Sequence, residues 1–97
     1  MNYVLHPAAA AEHLESVAYY ESKRPGIGAL YLAEFEQVMA AVCESSQRYP
    51  VARKPDVRLA RMKKFPFTIL FRESAGSVQI LAVAHHRRRP QYWLGRV

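Results

Sequence analysis

The side chains best suited to chemistry lie near the end of this 97-residue sequence, in the stretch VAHHRRRPQYW at residues 83–93. Two histidines and three arginines follow an apolar run there, and a proline and two aromatic residues come after them. The mixture fits three kinds of site: one that cleaves RNA, one that clamps nucleic acid, and a basic surface that docks an acidic protein. Cleavage of RNA without a metal needs a base for the 2′-hydroxyl, cations for the phosphorane charge and an acid for the leaving oxygen.

A second basic cluster occurs earlier in the chain, and the two clusters together could supply these groups. His86 and Tyr92 are the candidates for proton transfer. The candidates for stabilising negative charge are Arg61, Lys63 and Arg88. An electrostatic dock is the less demanding alternative, because it needs no proton-transfer geometry. Tyr92 and Trp93 could instead anchor the end of the chain on the protein's own core.

The charge of the chain is strongly basic and unevenly distributed. Fourteen lysines and arginines stand against eight acids, which gives a formal net charge of +6. Seven bases and one acid fall within residues 48–64, and residues 85–96 add four arginines, two histidines and no acid. A basic half on a near-neutral scaffold indicates a polyanionic partner, either nucleic acid or an acidic protein segment.

Several classes of protein are disfavoured by composition. The single cysteine, Cys43, allows neither an intrachain disulfide nor a cysteine-based zinc site, and no histidine set has zinc spacing. We therefore expect no metal and no cofactor. No stretch approaches the roughly 20 apolar residues of a membrane span, and the start MNYVLHP lacks the pattern of a signal peptide. We expect a cytoplasmic protein that does not associate with membranes.

The elements that must position these residues can be predicted from hydrophobic periodicity. Tyr3–Leu5 is a short β-prone run, and apolar residues then recur at helical spacing over residues 8–23 and 27–47. The break between the two segments, Arg24-Pro25-Gly26, is so short that the helices should form an antiparallel hairpin.

From residue 57 onward the period changes to two. Residues 57–63 predict a basic strand with a solvated edge, and residues 67–72 and 78–84 predict two buried strands joined by the turn Ser74-Ala75-Gly76-Ser77. Successive residues of a strand face opposite sides, so His85 and His86 should point apart. The whole pattern predicts one α+β domain over residues 1–97. Its expected architecture is an α-helical hairpin on a mostly antiparallel, four-stranded sheet, in the order β-α-α-β-β-β.

The segment LARMKKFPFTILFRESAGSVQILAVAHHRRRPQYW resembles the C-terminal half of RelE/ParE-family toxins of bacterial toxin–antitoxin systems. The family pattern is a basic strand, a Lys-Phe-Pro-aromatic turn, an Ile-rich strand ending in Arg, and a last strand closing in His-x-Arg-Arg-x-Pro-x-x-Trp. The matching residues here are 64–67, 69–72 and 85–93. The front half is similar too, with Tyr19-Tyr20 in the first helix, Phe35 in the second, and Tyr49-Pro50 after it.

This resemblance implies a small α+β toxin that a cognate acidic antitoxin neutralises by wrapping it, with the possibility of a higher-order toxin–antitoxin complex. RelE-like members cut mRNA on the ribosome, with basic sheet residues and a C-terminal Tyr or His. ParE-like members poison DNA gyrase, and no nuclease site is assigned to them. A non-toxic binding module that uses the basic sheet only to hold an acidic partner is the third alternative.

Residue by residue, the resemblance favours the ParE-like branch. Arg61 and Lys63 match basic sheet residues of the nucleases, His86 lies near an expected arginine, and Tyr92 lies near an expected tyrosine. Thr68, however, stands where the nucleases commonly carry an arginine on the middle strand. A neutral threonine cannot stabilise a phosphorane charge as an arginine does, although Arg72 or Arg88 could compensate. The remaining candidates for contact with a target or an antitoxin are Arg58, Lys64, Arg72, Arg87, Arg89 and Trp93.

Overall fold

The computed structural model describes all residues, 1–97, and its elements follow a β-α-α-β-β-β-β order. The elements are β1 (Tyr3–Leu5), α1 (Pro7–Lys23), α2 (Ile27–Glu44), β2 (Val51–Arg53), β3 (Val57–Arg61), β4 (Phe67–Ser74) and β5 (Ser77–His85). Short 3-10 helices occur at Ser46–Arg48 and Leu94–Arg96. The α+β class and the helical hairpin are confirmed, and the sheet has one strand more than the expected four.

The hairpin of α1 and α2 is built by local hydrogen bonds at its ends. Pro7 occupies the first position of α1, where its missing N–H costs nothing, and His6 Nδ1 accepts from the Ala8 amide at 3.1 Å. Between the helices, Gly26 adopts a φ of 94° that favours glycine. The Glu21 carboxylate accepts from the Gly28 amide at 3.0 Å, so α1 caps the start of α2.

Helix α2 ends at Glu44, three residues before the expected end at residue 47. The next residues tighten into the 3-10 helix Ser46–Arg48, and the buried Ser46 hydroxyl donates to the Glu73 carboxylate of β4. The residue pair Ser45-Ser46 that follows the helix has low helix propensity, and the Ser46 contact ties this end of α2 to a strand far along the chain.

The strand order across the sheet is β1-β5-β4-β3-β2. Strands β3, β4 and β5 form the expected antiparallel meander, whereas β1 lies parallel to β5. The additional strand β2 pairs with the start of β3, so the prediction that β3 is the sheet edge is wrong along Val57 and Arg58. Beyond those residues β2 has ended, and Arg61 is exposed.

The two faces of the sheet differ in their cover. Phe67, Ile69 and Phe71 of β4 pack under the helices, in the main core that also contains Tyr31 and Phe35. Alternate residues point to the opposite face, where Leu70 joins a smaller buried cluster around Trp93. The helices thus leave one face of the sheet free, and only the end of the chain crosses it. No helix has the length and apolarity to span a bilayer.

Candidate functional site

An open groove of about 460 Å³ lies on the face of the sheet that the helices leave free. Its floor comes from β3, β4 and β5, and its wall comes from the turn and tail that follow β5. Six of the residues predicted from sequence line it together: Arg61, His86, Arg88, Arg89, Tyr92 and Trp93. Residues of both basic clusters of the sequence therefore line one groove, which we call the sheet groove.

Strand register aligns the floor of the sheet groove. Arg61 of β3 lies opposite Thr68 of β4, and Thr68 lies opposite Ala84 of β5. Side chains directly opposite in neighbouring strands have Cβ atoms about 5 Å apart, so Arg61 and Thr68 share one level of the sheet. His86 follows the end of β5, and its Nε2 lies 3.2 Å from Thr68 Oγ1. An imidazole thus reaches over the middle strand beside an arginine.

The other histidine of the pair faces the helices, as strand alternation predicts. The His85 ring meets Phe67 edge-on, with ring centroids 5.1 Å apart. Burial lowers the pKa of His85, and the charges of Arg87 and His86 lower it further. His85 and Arg87 line a second groove of about 500 Å³ beside α1, which His86 does not reach, but His85 also lines the sheet groove.

Tyr92 has its hydroxyl committed to another element. Its phenol donates to Glu12 Oε2 of α1 at 2.7 Å, and the Arg88 guanidinium lies 4.0 Å from the centre of its ring. Burial raises the pKa of Tyr92, and the hydrogen bond to the Glu12 carboxylate raises it further. A phenol held in this way is a poor proton donor at neutral pH.

Glu12 joins α1, β5 and the end of the chain. Its Oε1 accepts from the Val83 amide at 2.9 Å and from Arg96 at 3.0 Å, and its Oε2 accepts from Arg96 at 2.9 Å. Arg96 also donates to the Leu81 carbonyl at 3.1 Å. Burial alone would raise the pKa of Glu12, but hydrogen bonds from Arg96, Tyr92 and Val83 outweigh it, and the pKa falls below its ordinary value. We call this set of contacts the Glu12 latch.

Five of the predicted basic residues do not line the sheet groove, and one of them, Arg87, lines the groove beside α1. Arg58 donates to the Tyr49 carbonyl at 2.6 Å and anchors the connection after α2. Arg72 pairs with Gln79 at 3.1 Å on β5, and Lys64 lies in the turn after β3. Lys63 lines a separate groove between α2 and β3.

Sequence reasoning missed Glu12 and Arg96, and it treated Thr68 only as a departure from the family pattern. Alternation separates His85 from His86, and it also places Thr68 and Phe67 on different faces of the sheet. This pattern could have suggested that Thr68 and His86 share a face. No local pattern could have linked Glu12 to Arg96, which lie 84 positions apart. No three His, Cys, Asp or Glu side chains lie close enough together to hold a metal ion.

Comparison with solved structures shows a similar chain in one described as "Chromosomal ParDE TA system from P. aeruginosa". The two chains superpose with a TM-score of 0.74 at 18% identity, over 88% of this chain and 95% of that chain. No family model and no curated protein matches this sequence. At such low identity the likeness shows that the two chains share a fold.

Proposed function

We propose that this protein is the toxin of a toxin–antitoxin pair and that it acts in the cytoplasm. The observation that carries the proposal is the shared fold with a chain of a ParDE structure, over 88% of this chain. The sheet groove adds to it, because its arginines have no acidic partner: the one salt bridge of the chain joins Glu12 and Arg96.

The neutralising partner is an acidic antitoxin segment that covers basic residues of the free sheet face. Arg61, Arg88 and Arg89 are exposed, and an arginine fork matches a carboxylate with two parallel hydrogen bonds. The half-exposed Arg72 lies further along the same face and extends the basic surface. A disordered acidic segment can follow such a surface and gain order on binding.

For the target, we favour DNA gyrase over RNA. Cleavage of RNA needs an acid, a base and several cations around one phosphate. In the sheet groove the middle strand contributes the neutral Thr68, and the hydroxyl of Tyr92 is held by Glu12. His86 is then the one remaining residue of the predicted proton-transfer pair. This arrangement supports binding to a target better than a complete nuclease site.

Purified toxin should inhibit supercoiling by gyrase and should increase cleaved gyrase–DNA complexes, and the cognate antitoxin should reverse both effects. The matched variants are Arg61→Gln, inside the sheet groove, and Arg53→Gln, an exposed arginine outside it. Supercoiling that continues unchanged at toxin levels that stop growth in cells would refute gyrase as the target.

The alternative is a ribosome-dependent mRNA endoribonuclease, and a specific contact favours it. His86 is held beside Arg61 by Thr68, so one proton-transfer group and one cation meet at the same level of the sheet. Mapping of mRNA 5′ ends after induction would reveal cuts at fixed positions within codons. His86→Gln should abolish those cuts, whereas His6→Gln, at the start of α1, should leave them unchanged.

The third alternative, a non-toxic binding module, is tested by expression without the partner. Growth arrest that an antitoxin relieves would exclude it. Normal growth at a level of folded protein equal to that of the neutralised complex would support it and would count against both toxin mechanisms.

A further inference from the structure

The turn between β3 and β4 contains two adjacent lysines whose backbone amides, rather than their ammonium groups, are bound by an acid. We call residues 62–66 the basic turn. The amides of Lys63 and Lys64 both donate to the Glu34 carboxylate of α2, the second of them to Oε1 at 3.0 Å. We propose that Glu34 is a positioning residue, which fixes the basic turn so that both lysines bind an acidic segment of a protein partner.

Glu34 contacts the backbone of the basic turn without forming a salt bridge. The one salt bridge of the chain joins Glu12 and Arg96, so the ammonium groups of Lys63 and Lys64 have no acidic partner. Both lysines are exposed, whereas Glu34 is half-buried. Successive amides in a turn form a concave pair of donors that attracts an anion. Here the anion is a side chain of the protein itself, and it orders the backbone of the lysines while their charges stay available.

The two ends of the basic turn are held by other elements. The Met62 amide donates to the Phe67 carbonyl at 3.0 Å, and the Pro66 carbonyl accepts from the His86 amide at 2.9 Å. Between these ends, Glu34 makes the only hydrogen bonds to the backbone of residues 63 and 64. Backbone that is ordered before binding loses less conformational entropy when a partner arrives. Glu34 is therefore the contact on which the orientation of the two lysines depends.

A groove of about 330 Å³ between α2 and β3 gives an acidic segment the space to lie beside the basic turn. Lys63 and Arg61 line this groove together with Glu34, and Arg61 also lines the sheet groove. The two grooves are thus continuous across Arg61. Charge complementarity favours an acidic peptide as the occupant, because the lysines and Arg61 are exposed and form no salt bridge. The inference rests on the proposed function for the identity of this partner.

Removal of Glu34 separates positioning from net charge, because the two effects have opposite signs. Glu34→Ala removes a negative charge near the lysines, and charge alone predicts tighter binding of an acidic peptide. Positioning predicts weaker binding, because the lysines must then be ordered when the peptide binds. The matched control is Glu36→Ala, which makes the same charge change at an exposed position of the same helix and removes no hydrogen bond to the basic turn.

The probe for affinity is a labelled hexaglutamate peptide titrated with the purified chain and followed by fluorescence anisotropy. Glu34→Ala should bind the peptide about two- to five-fold more weakly than Glu36→Ala. Lys63→Gln and Lys64→Gln should each weaken binding by a similar factor. Lys54→Gln, exposed in the turn between β2 and β3, should weaken it less. If Glu34→Ala does not fold, Glu34→Gln takes its place, since it keeps the size of the side chain and one acceptor oxygen.

Nitrogen-15 NMR reads the contact itself. A carboxylate acceptor moves an amide proton signal downfield, so Glu34→Ala should move the Lys63 and Lys64 signals upfield and leave that of Lys54 unchanged. Acetate, which carries the same carboxylate group, should move the signals of the variant back, and chloride at equal ionic strength should not. A free anion could not replace a side chain that only stabilises the fold.

Peptide binding by Glu34→Ala that is as tight as binding by Glu36→Ala would overturn the inference, and so would Lys63 and Lys64 signals that the substitution leaves unchanged. A hexauridine that moves these signals when hexaglutamate does not would assign the surface to nucleic acid and overturn it as well. Failure of the gyrase assay with peptide binding as expected would refute the target alone. Peptide binding that is independent of the basic turn, in a chain that inhibits gyrase, would refute the docking surface alone.

Discussion

Glu12 makes more hydrogen bonds than any other acidic side chain of the chain, and one of them holds the hydroxyl of Tyr92, a residue that the sequence suggested for proton transfer. Its carboxylate accepts from one backbone amide, one phenol and one guanidinium. Removal of a charged acceptor leaves such donors unsatisfied, and the cost grows with their burial. The Glu12 latch is therefore the place where one substitution should have the largest effect on stability without touching the core.

Glu12→Gln should lower the free energy of unfolding by about 2 kcal/mol, because a neutral amide cannot accept from Arg96, Tyr92 and Val83 as a carboxylate does. Glu15→Gln is the matched control, since Glu15 is exposed on the same helix and should change stability by less than about 0.5 kcal/mol. Urea unfolding measures both values. Equal stability of the two variants would show that the latch contributes nothing.

The same residue should shape the response of stability to acid. The pKa of Glu12 is lowered in the fold. Its ionised carboxylate therefore contributes fully to the free energy of unfolding above pH 4.5, and this contribution is lost as pH falls below that value. Burial lowers the pKa of His13, and this effect outweighs the charge of Glu36, which would raise it. The fold therefore favours neutral His13, and the free energy of unfolding falls as pH drops below 6.5 and the ring must be protonated. Unfolding free energy measured against pH should therefore decline first below 6.5 and again below 4.5. Glu12→Gln should flatten the second decline and leave the first, and an unchanged second decline would contradict this.

At the scale of elements, the helical hairpin depends on a close approach at Gly28. A Cβ placed there would lie 2.9 Å from Glu21 Oε1 and 3.0 Å from the Val17 carbonyl. The Glu21 carboxylate could move away, but it would then release the amides of Gly26 and Gly28 that it caps. The start of α2 is thus tied to the end of α1 by packing and by capping together.

Gly28→Ala should destabilise the fold by about 1 kcal/mol, the lower end of the cost of overpacking, because alanine also favours the helix. Gly95→Ala is the control, since nothing lies within 4 Å of the Cβ it would add. Thermal unfolding followed by circular dichroism compares the two. A gain of stability for Gly28→Ala would show that helix propensity outweighs the close approach.

Most of the elements that sequence could predict have enough residues to show a period, as both helices and the meander of β3, β4 and β5 do. Strand β1 is only three residues long, but Tyr3–Leu5 is a run of β-prone residues. Strand β2 is equally short, and Val51–Arg53 offers neither a visible alternation nor such a run. It is defined by its pairing with β3.

The candidate site was predictable in its residue types but not in its arrangement. Alternation separated His85 from His86, and the basic character of Arg61 and Arg88 made them candidates for stabilising negative charge. The anchoring of Arg58 on the Tyr49 carbonyl and of Tyr92 on Glu12 could not be foreseen. These contacts join distant segments, and neither hydrophobic period nor local charge encodes them.

At the scale of the whole molecule, the exposed arginines of the sheet groove have no acidic partner, and they give one face of the sheet a positive charge. We expect the affinity for an acidic antitoxin to fall steeply between about 0.05 M and about 0.5 M salt, because exposed charges are screened over that range. Arg61→Gln should weaken binding about two- to five-fold, and Arg53→Gln, of the same charge change, should have a smaller effect. Isothermal titration at several salt concentrations measures this. An affinity that is independent of salt would exclude charge as the basis of recognition.

The Glu12 latch also has a consequence for the kinetics of unfolding. Glu12 and Arg96 lie 84 positions apart, so their contact closes a loop over nearly the whole chain. A contact of such long range should form after the folding barrier, since its loop entropy is lost before its interactions are gained. Stopped-flow measurements should then show that Glu12→Gln accelerates unfolding while refolding keeps its rate. The Glu12–Arg96 contact would then set the lifetime of the native state through the unfolding rate, without affecting how fast the chain folds.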